Sequence, residues 1–111
     1  MKHRPQPVPD RDAEADLDAL SCALAGLAAP ADVRAFLEDL CTPAELEAMA
    51  DRWKVVPLLA EGVPYREIHD RTGVSVTTIG RVARTLERGS GGYALAIQRQ
   101  TRHNSSADGA H

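Results

Sequence analysis

The feature that most constrains this chain is a tight turn between two short amphipathic segments in residues 61–86. Gly73 stands where the first segment ends, and glycine adopts the left-handed backbone conformation of such a turn at little cost. Ser75 follows, and its hydroxyl can accept a hydrogen bond from an N–H in the first turn of a helix. Beyond it, apolar residues recur at offsets of three and four, which is the spacing of one helix face. The segment therefore predicts a helix-turn-helix at about residues 64–86.

The other face of the second predicted helix is polar and basic, with Thr77 and Thr78 near its start and Arg81 and Arg84 further along. Small hydroxyl side chains at a helix N-terminus allow close approach to the major groove of DNA. Arginine can bind phosphate or guanine with two parallel hydrogen bonds. These residue types favour DNA binding, and the alternative for the same motif is a structural helical hairpin within a bundle.

Charge is distributed unevenly along the chain. The formal net charge is −3, but residues 1–50 carry −6 and residues 51–111 carry +3. The helix-turn-helix lies in the basic half, so the acidic half is not expected to face nucleic acid. With 111 residues there is room for one domain, and so short a chain buries little surface alone, which favours a dimer.

The remaining sequence predicts further helices. Helical apolar spacing and proline positions predict helices over residues 12–27, 30–40, 43–61 and 93–99, in addition to the two of the helix-turn-helix. Pro57 falls inside the third helix, and we expect that helix to continue through it. Residues 1–11 and 101–111 are polar and lack periodicity, so we predict disordered ends around a single domain over residues 12–100.

The sequence contains no residue pattern typical of a catalytic site or a metal site. The histidines and cysteines have no metal-ligand spacing, so we expect no metal site. No nucleophile with its base, phosphate loop or pair of catalytic carboxylates can be assembled, so we expect no enzyme. The polar N-terminus and the lack of any stretch near ~20 apolar residues predict a cytoplasmic location and no membrane partner.

Three segments carry a family resemblance: LCTPAELEAMADRW at residues 40–53, REIHDRTGVSVTTIGRVARTL at 66–86 and GGYALAI at 91–97, with Gly62 between the first two. Over residues 33–97 the chain resembles the tryptophan repressor superfamily, and more closely its Trp-repressor-like branch in bacteria. The resemblance implies an all-α, intertwined homodimer that binds operator DNA. It also implies that Arg66 and residues 75–78 lie at the DNA and that Arg81 lies between DNA and core. The full set of expected DNA-binding residues is Arg66, Ser75, Val76, Thr77, Thr78, Arg81 and Arg84.

The same resemblance identifies a candidate effector pocket. In the tryptophan repressor two arginines enclose the indole of the corepressor, and the matching positions are Arg52 and Arg81. Thr42 matches another pocket residue. Val82 stands where the repressor has a glycine, and Thr85 where it has a serine that contacts the ligand. Because a branched Val82 would occupy ligand space, we expect a vestigial pocket, no tryptophan corepressor and no other cofactor.

We therefore predict a homodimeric, all-α, DNA-binding transcriptional regulator of the repressor type, with double-stranded DNA as its partner. Two alternatives belong to other classes. One is a protein-interaction module that covers the same helix face with a partner. The other is a replication-associated DNA binder, since the DNA-binding domain of the bacterial replication initiator is similar to the helical core of this superfamily.

Overall fold

The computed structural model describes residues 10–109, and the side chains of residues 12–101. This part of the chain forms six helices and no strand, which confirms the all-α class. The helices are α1 (Asp10–Ala25), α2 (Pro30–Leu40), α3 (Pro43–Ala60), α4 (Tyr65–Thr72), α5 (Val76–Arg88) and α6 (Gly92–Gly109). None of these described helices is both long and apolar enough to span a membrane. Residues 1–9 and 110–111, which belong to the two ends predicted as disordered, lie outside the described residues.

The chain divides into two compact units, Met1–Pro43 and Ala44–His111. The first unit holds α1 and α2, and none of its described side chains is buried. Leu17 is 62% exposed and Leu40 is 50% exposed. Apolar surface that stays in contact with water contributes little to folding, so this unit gains little hydrophobic stabilisation from its own described residues.

The second unit has a small aliphatic core. Its fully or almost fully buried side chains come from α3, α4, the turn and α5, and they are Val55, Val56, Ile68, Val74, Ile79 and Val82. The partly buried Tyr93 and Ile97 of α6 pack against this core. The ring centroids of Tyr93 and Trp53 are 6.5 Å apart with planes tilted by 41°, within the range of favourable aromatic pairs. Part of the apolar side of α6 is therefore used within its own unit, although Leu95 stays 50% exposed.

Helix boundaries differ from the prediction mainly at the two ends of the chain. Helix α1 begins at Asp10, inside the predicted arm, and ends at Ala25, two residues before the predicted end. Helix α6 continues to Gly109, nine residues into the predicted disordered tail. Leu, Ala, Gln and Arg in its first half favour helix, and neither proline nor glycine interrupts it before Gly109. Helix α3 runs through Pro57 to Ala60, as predicted.

Candidate nucleic-acid interface

The turn between α4 and α5 depends on the backbone of Gly73. This residue has φ 78° and ψ −2°, the left-handed conformation, and its N–H donates to the His69 carbonyl oxygen at 2.8 Å. A β-carbon built on Gly73 would have no atom within 4 Å. Glycine is therefore required by the backbone conformation rather than by lack of space.

Two polar side chains at the end of α4 close this turn. The Thr72 hydroxyl donates to the Ile68 carbonyl oxygen at 2.7 Å and accepts from the Val74 N–H at 3.1 Å. The His69 Nδ1 lies 2.8 Å from the Val74 carbonyl oxygen. A carbonyl oxygen can only accept, so Nδ1 carries the proton in this contact. The sequence indicated no role for His69 beyond packing, because its partner is a backbone atom five residues ahead.

Helix α5 begins with a side-chain cap. The Ser75 hydroxyl oxygen accepts from the Thr78 N–H at 3.1 Å, as the sequence predicted for an N-cap, and its O–H donates to Thr78 Oγ1 at 3.0 Å. Ser75 and Thr78 thus hold the helix start. Val76, which is 52% exposed, and the exposed Thr77 present their side chains to solvent beside the cap.

One face of α5 carries Thr77, Arg81, Arg84 and Arg88, at successive offsets of four, three and four residues. At 100° per residue these positions fall on one side of the helix, opposite its buried residues. All four are exposed. The first three belong to the DNA-binding residues predicted from the sequence. Arg88 does not, although helical spacing alone places it on the same face.

Electrostatics around the turn and α5 favour an anionic partner. No Asp or Glu occurs between Asp70 and Glu87. On α4, Glu67 is already paired with Arg71 at 3.3 Å, an exposed pair. Arg66 is exposed on the same helix, and in the described part of the chain neither it nor the arginine face of α5 takes part in an ion pair. These guanidinium groups are available to bind phosphate.

The expected effector residues lie in different environments. Thr42 belongs to the first unit and the other four to the second. Val82 is 1% exposed and forms part of the core. Arg81 and Thr85 line a shallow depression on α5, whereas Arg52 is exposed on α3 and does not line it.

These features define a helix-turn-helix whose second helix presents hydroxyl and guanidinium groups, the class of helix-turn-helix DNA-binding proteins. The model of the Trp repressor protein family matches residues 15–101. The chain belongs to the Trp repressor family, a family of DNA-binding regulators.

Solved structures and a curated relative agree with this assignment. A crystal structure of a candidate Trp repressor from Staphylococcus aureus superposes with a TM-score of 0.73 at 32% identity, covering 78% of this chain and 87% of that one. The crystal structure of a TrpR-like protein from Eubacterium eligens gives the same TM-score and identity and covers 78% and 90%. The uncharacterised protein YerC of Bacillus subtilis is 42% identical over 64 residues, 58% of this chain and 62% of YerC. The match therefore spans less than two thirds of that relative's length.

Proposed function

We propose that this protein is a sequence-specific transcriptional regulator that inserts the N-terminal half of α5 into the major groove of operator DNA. The observation that carries the proposal is the arrangement of side chains at the start of α5. Ser75 and Thr78 are occupied in the cap, so Val76 and Thr77 remain exposed at the position where a recognition helix meets base edges.

Helix dimensions separate base-reading residues from phosphate-binding ones. At 1.5 Å per residue, Thr77 and Arg84 are about 10 Å apart along α5, close to the ~12 Å width of the major groove. The Arg84 side chain folds back toward the start of the helix, since its Nη1 lies 3.8 Å from where a β-carbon of Gly80 would be. Arg81 and Arg84, with Arg66 of α4, have side chains long enough to reach the phosphates that flank a groove occupied by Val76 and Thr77.

The regulator acts as a homodimer in this proposal. Leu17 and Leu40 of the first unit are at least half exposed, and that unit buries none of its described side chains. A second copy that covers them would supply the missing hydrophobic stabilisation and would present two recognition helices to two half-sites. Light scattering at micromolar protein should give twice the chain mass of 11.9 kDa, and the melting temperature should fall on dilution. A monomeric mass with a melting temperature independent of concentration would exclude the dimer.

Neither tryptophan nor catalysis is part of the proposed activity. The Val82 side chain is buried in the core. It therefore fills the space that an indole would need next to Arg81. The proposed activity takes place in the cytoplasm and needs neither tryptophan nor a cofactor.

Binding measured over a series of salt concentrations tests the DNA proposal. Each arginine that contacts a phosphate should contribute about one unit to the slope of log K against log salt. Arg84→Ala should lower that slope by about one and should weaken binding to operator and random duplex alike. Arg99→Ala is the matched control, because Arg99 is an exposed arginine on α6 outside the helix-turn-helix. If wild type shows no salt-dependent binding to duplex, or if Arg99→Ala carries the effect instead, α5 is not the DNA surface and the interaction-module alternative is favoured.

A further inference from the structure

The C-terminal half of α5 borders a shallow depression of about 390 Å³. Its lining consists of Arg81, Arg84, Thr85, Arg88 and Gly89. Three of these five residues are arginines and none is acidic. The depression thus combines a positive field with a hydroxyl group.

Arginines three and four residues apart on a helix are neighbours on its surface and repel one another. A carboxylate could relieve this, and Glu87 is next to Arg88 in sequence. In the described part of the chain, however, no ion pair joins any carboxylate to the three arginines. No ion pair among the described residues therefore offsets their mutual repulsion, and a bound anion would do so.

We propose that this depression is a phosphate-binding site, formed by Arg84 and Arg88 with Arg81 and Thr85 at its edge. Guanidinium groups bind phosphate oxygens through pairs of parallel hydrogen bonds. The Thr85 hydroxyl can donate another. At Arg81 and Arg84 the site rests on the proposed function, which places these arginines beside DNA phosphates. It goes beyond that function at Arg88, which lies at the other end of α5.

The position of Arg88 distinguishes it from the groove-flanking arginines. It lies about 16 Å from Thr77 along the helix, whereas the major groove is about 12 Å wide. Its phosphate therefore comes from one of two sources. One is a free phosphorylated small molecule, which would compete with DNA for Arg84 and so act as an effector. The other is a DNA phosphate beyond the groove that α5 occupies.

The first arm of the test needs no DNA, so it stands even if the proposed function fails. Wild-type protein, Arg88→Gln and Arg99→Gln are titrated with sodium pyrophosphate in a calorimeter at constant ionic strength. Both variants remove one exposed arginine charge, and only Arg88 lines the depression. Saturable binding that Arg88→Gln weakens about tenfold or more, while Arg99→Gln leaves it unchanged, supports the site with a free phosphate as its ligand.

The second arm uses duplex DNA of two lengths, one that just spans the operator and one extended by several base pairs on each side. A salt slope that Arg88→Gln lowers by about one unit on the extended duplex only, with Arg99→Gln unchanged, supports the site with a DNA phosphate as its ligand. Circular dichroism melting of both variants shows whether they fold like wild type. If Arg88→Gln behaves like Arg99→Gln in both arms, the depression does not bind phosphate and the proposal is wrong.

Discussion

The His69 imidazole donates its Nδ1–H to the Val74 carbonyl oxygen at 2.8 Å, across the turn of the helix-turn-helix. The two residues belong to the end of α4 and to the buried turn that precedes α5. This bond, together with those of Thr72, satisfies both polar backbone groups of Val74 while its side chain enters the core. The relative position of the two motif helices is thus fixed by side chains of α4 as well as by packing.

Replacement of His69 by alanine tests this relationship. Removal of the ring leaves the Val74 carbonyl without its partner, so we expect the free energy of unfolding to fall by about 1 kcal/mol. Asp70→Ala is the control, because Asp70 is the exposed neighbour of His69 and should change stability by less than about 0.5 kcal/mol. Urea titrations of both variants give the comparison. Equal stability of the two would show that the bond contributes nothing.

Gly73 should tolerate no ordinary side chain without cost. Gly73→Ala should destabilise the protein by about 1–2 kcal/mol through the backbone alone, since nothing lies within reach of the new methyl group. Gly73→Val should be worse because branched residues avoid positive φ, and Gly73→Asn should be milder because asparagine adopts it more readily. Urea unfolding of the three variants should give this order. A valine variant as stable as the asparagine variant would contradict it.

Gly80→Ala should change the stability of the protein and its affinity for DNA in opposite directions. It lies inside α5, where alanine is favoured over glycine by up to about 1 kcal/mol. Apart from the backbone of α5 and the adjoining residues, an added β-carbon would have one described atom within 4 Å, Arg84 Nη1 at 3.8 Å, which is an ordinary contact. Gly80→Ala should therefore raise the free energy of unfolding. It should also weaken DNA binding, because Gly80 borders the face of Thr77 and Arg84 that approaches the duplex.

Fluorescence anisotropy with labelled operator, beside urea unfolding, measures both effects of Gly80→Ala. If the variant gains both stability and affinity for DNA, the duplex contacts another side of α5 and the prediction is wrong.

Val76 should read a thymine. Its exposed methyl groups at the start of α5 suit the thymine C5 methyl, an apolar feature of the major groove. An operator selected from random duplexes can carry deoxyuridine at one thymine at a time. Loss of the critical methyl should weaken wild-type binding by about 1 kcal/mol, roughly fivefold.

The same deoxyuridine substitution should have little effect on Val76→Ala, and the double-mutant cycle isolates the contact. Thr78→Ala serves as the comparison, because Thr78 is engaged in the cap. Equal sensitivity of all three proteins to every deoxyuridine would refute a methyl contact by Val76.

Calorimetry with L-tryptophan tests the closed pocket. The burial of Val82 predicts no saturable heat at millimolar ligand. Val82→Gly introduces the residue that the tryptophan repressor has at this position. It should lower the free energy of unfolding by roughly 3 kcal/mol, because it removes a buried side chain and adds a residue with low helix propensity. Saturable tryptophan binding by wild type would show that the core opens for the ligand.

Local sequence determined the positions of the turn and of the helix starts. Gly73 and Ser75 act through backbone conformation and short-range hydrogen bonds, and the structure has both in the predicted roles. Pro30 and Pro43 begin α2 and α3 for the same local reason. The apolar spacing of α5 likewise identified Ile79 and Val82 as core residues.

Only the tertiary structure decided which apolar side chains of a helix are buried and which partners they pack against. On α3, Met49 is 39% exposed, whereas Val55 is fully buried. Apolar residues occur around much of α3, so periodicity could not say which side α4 and α5 would cover. The packing of Tyr93 against Trp53 has the same origin. It depends on where two segments forty residues apart in the chain meet in space, and a pattern within one segment carries no information about that.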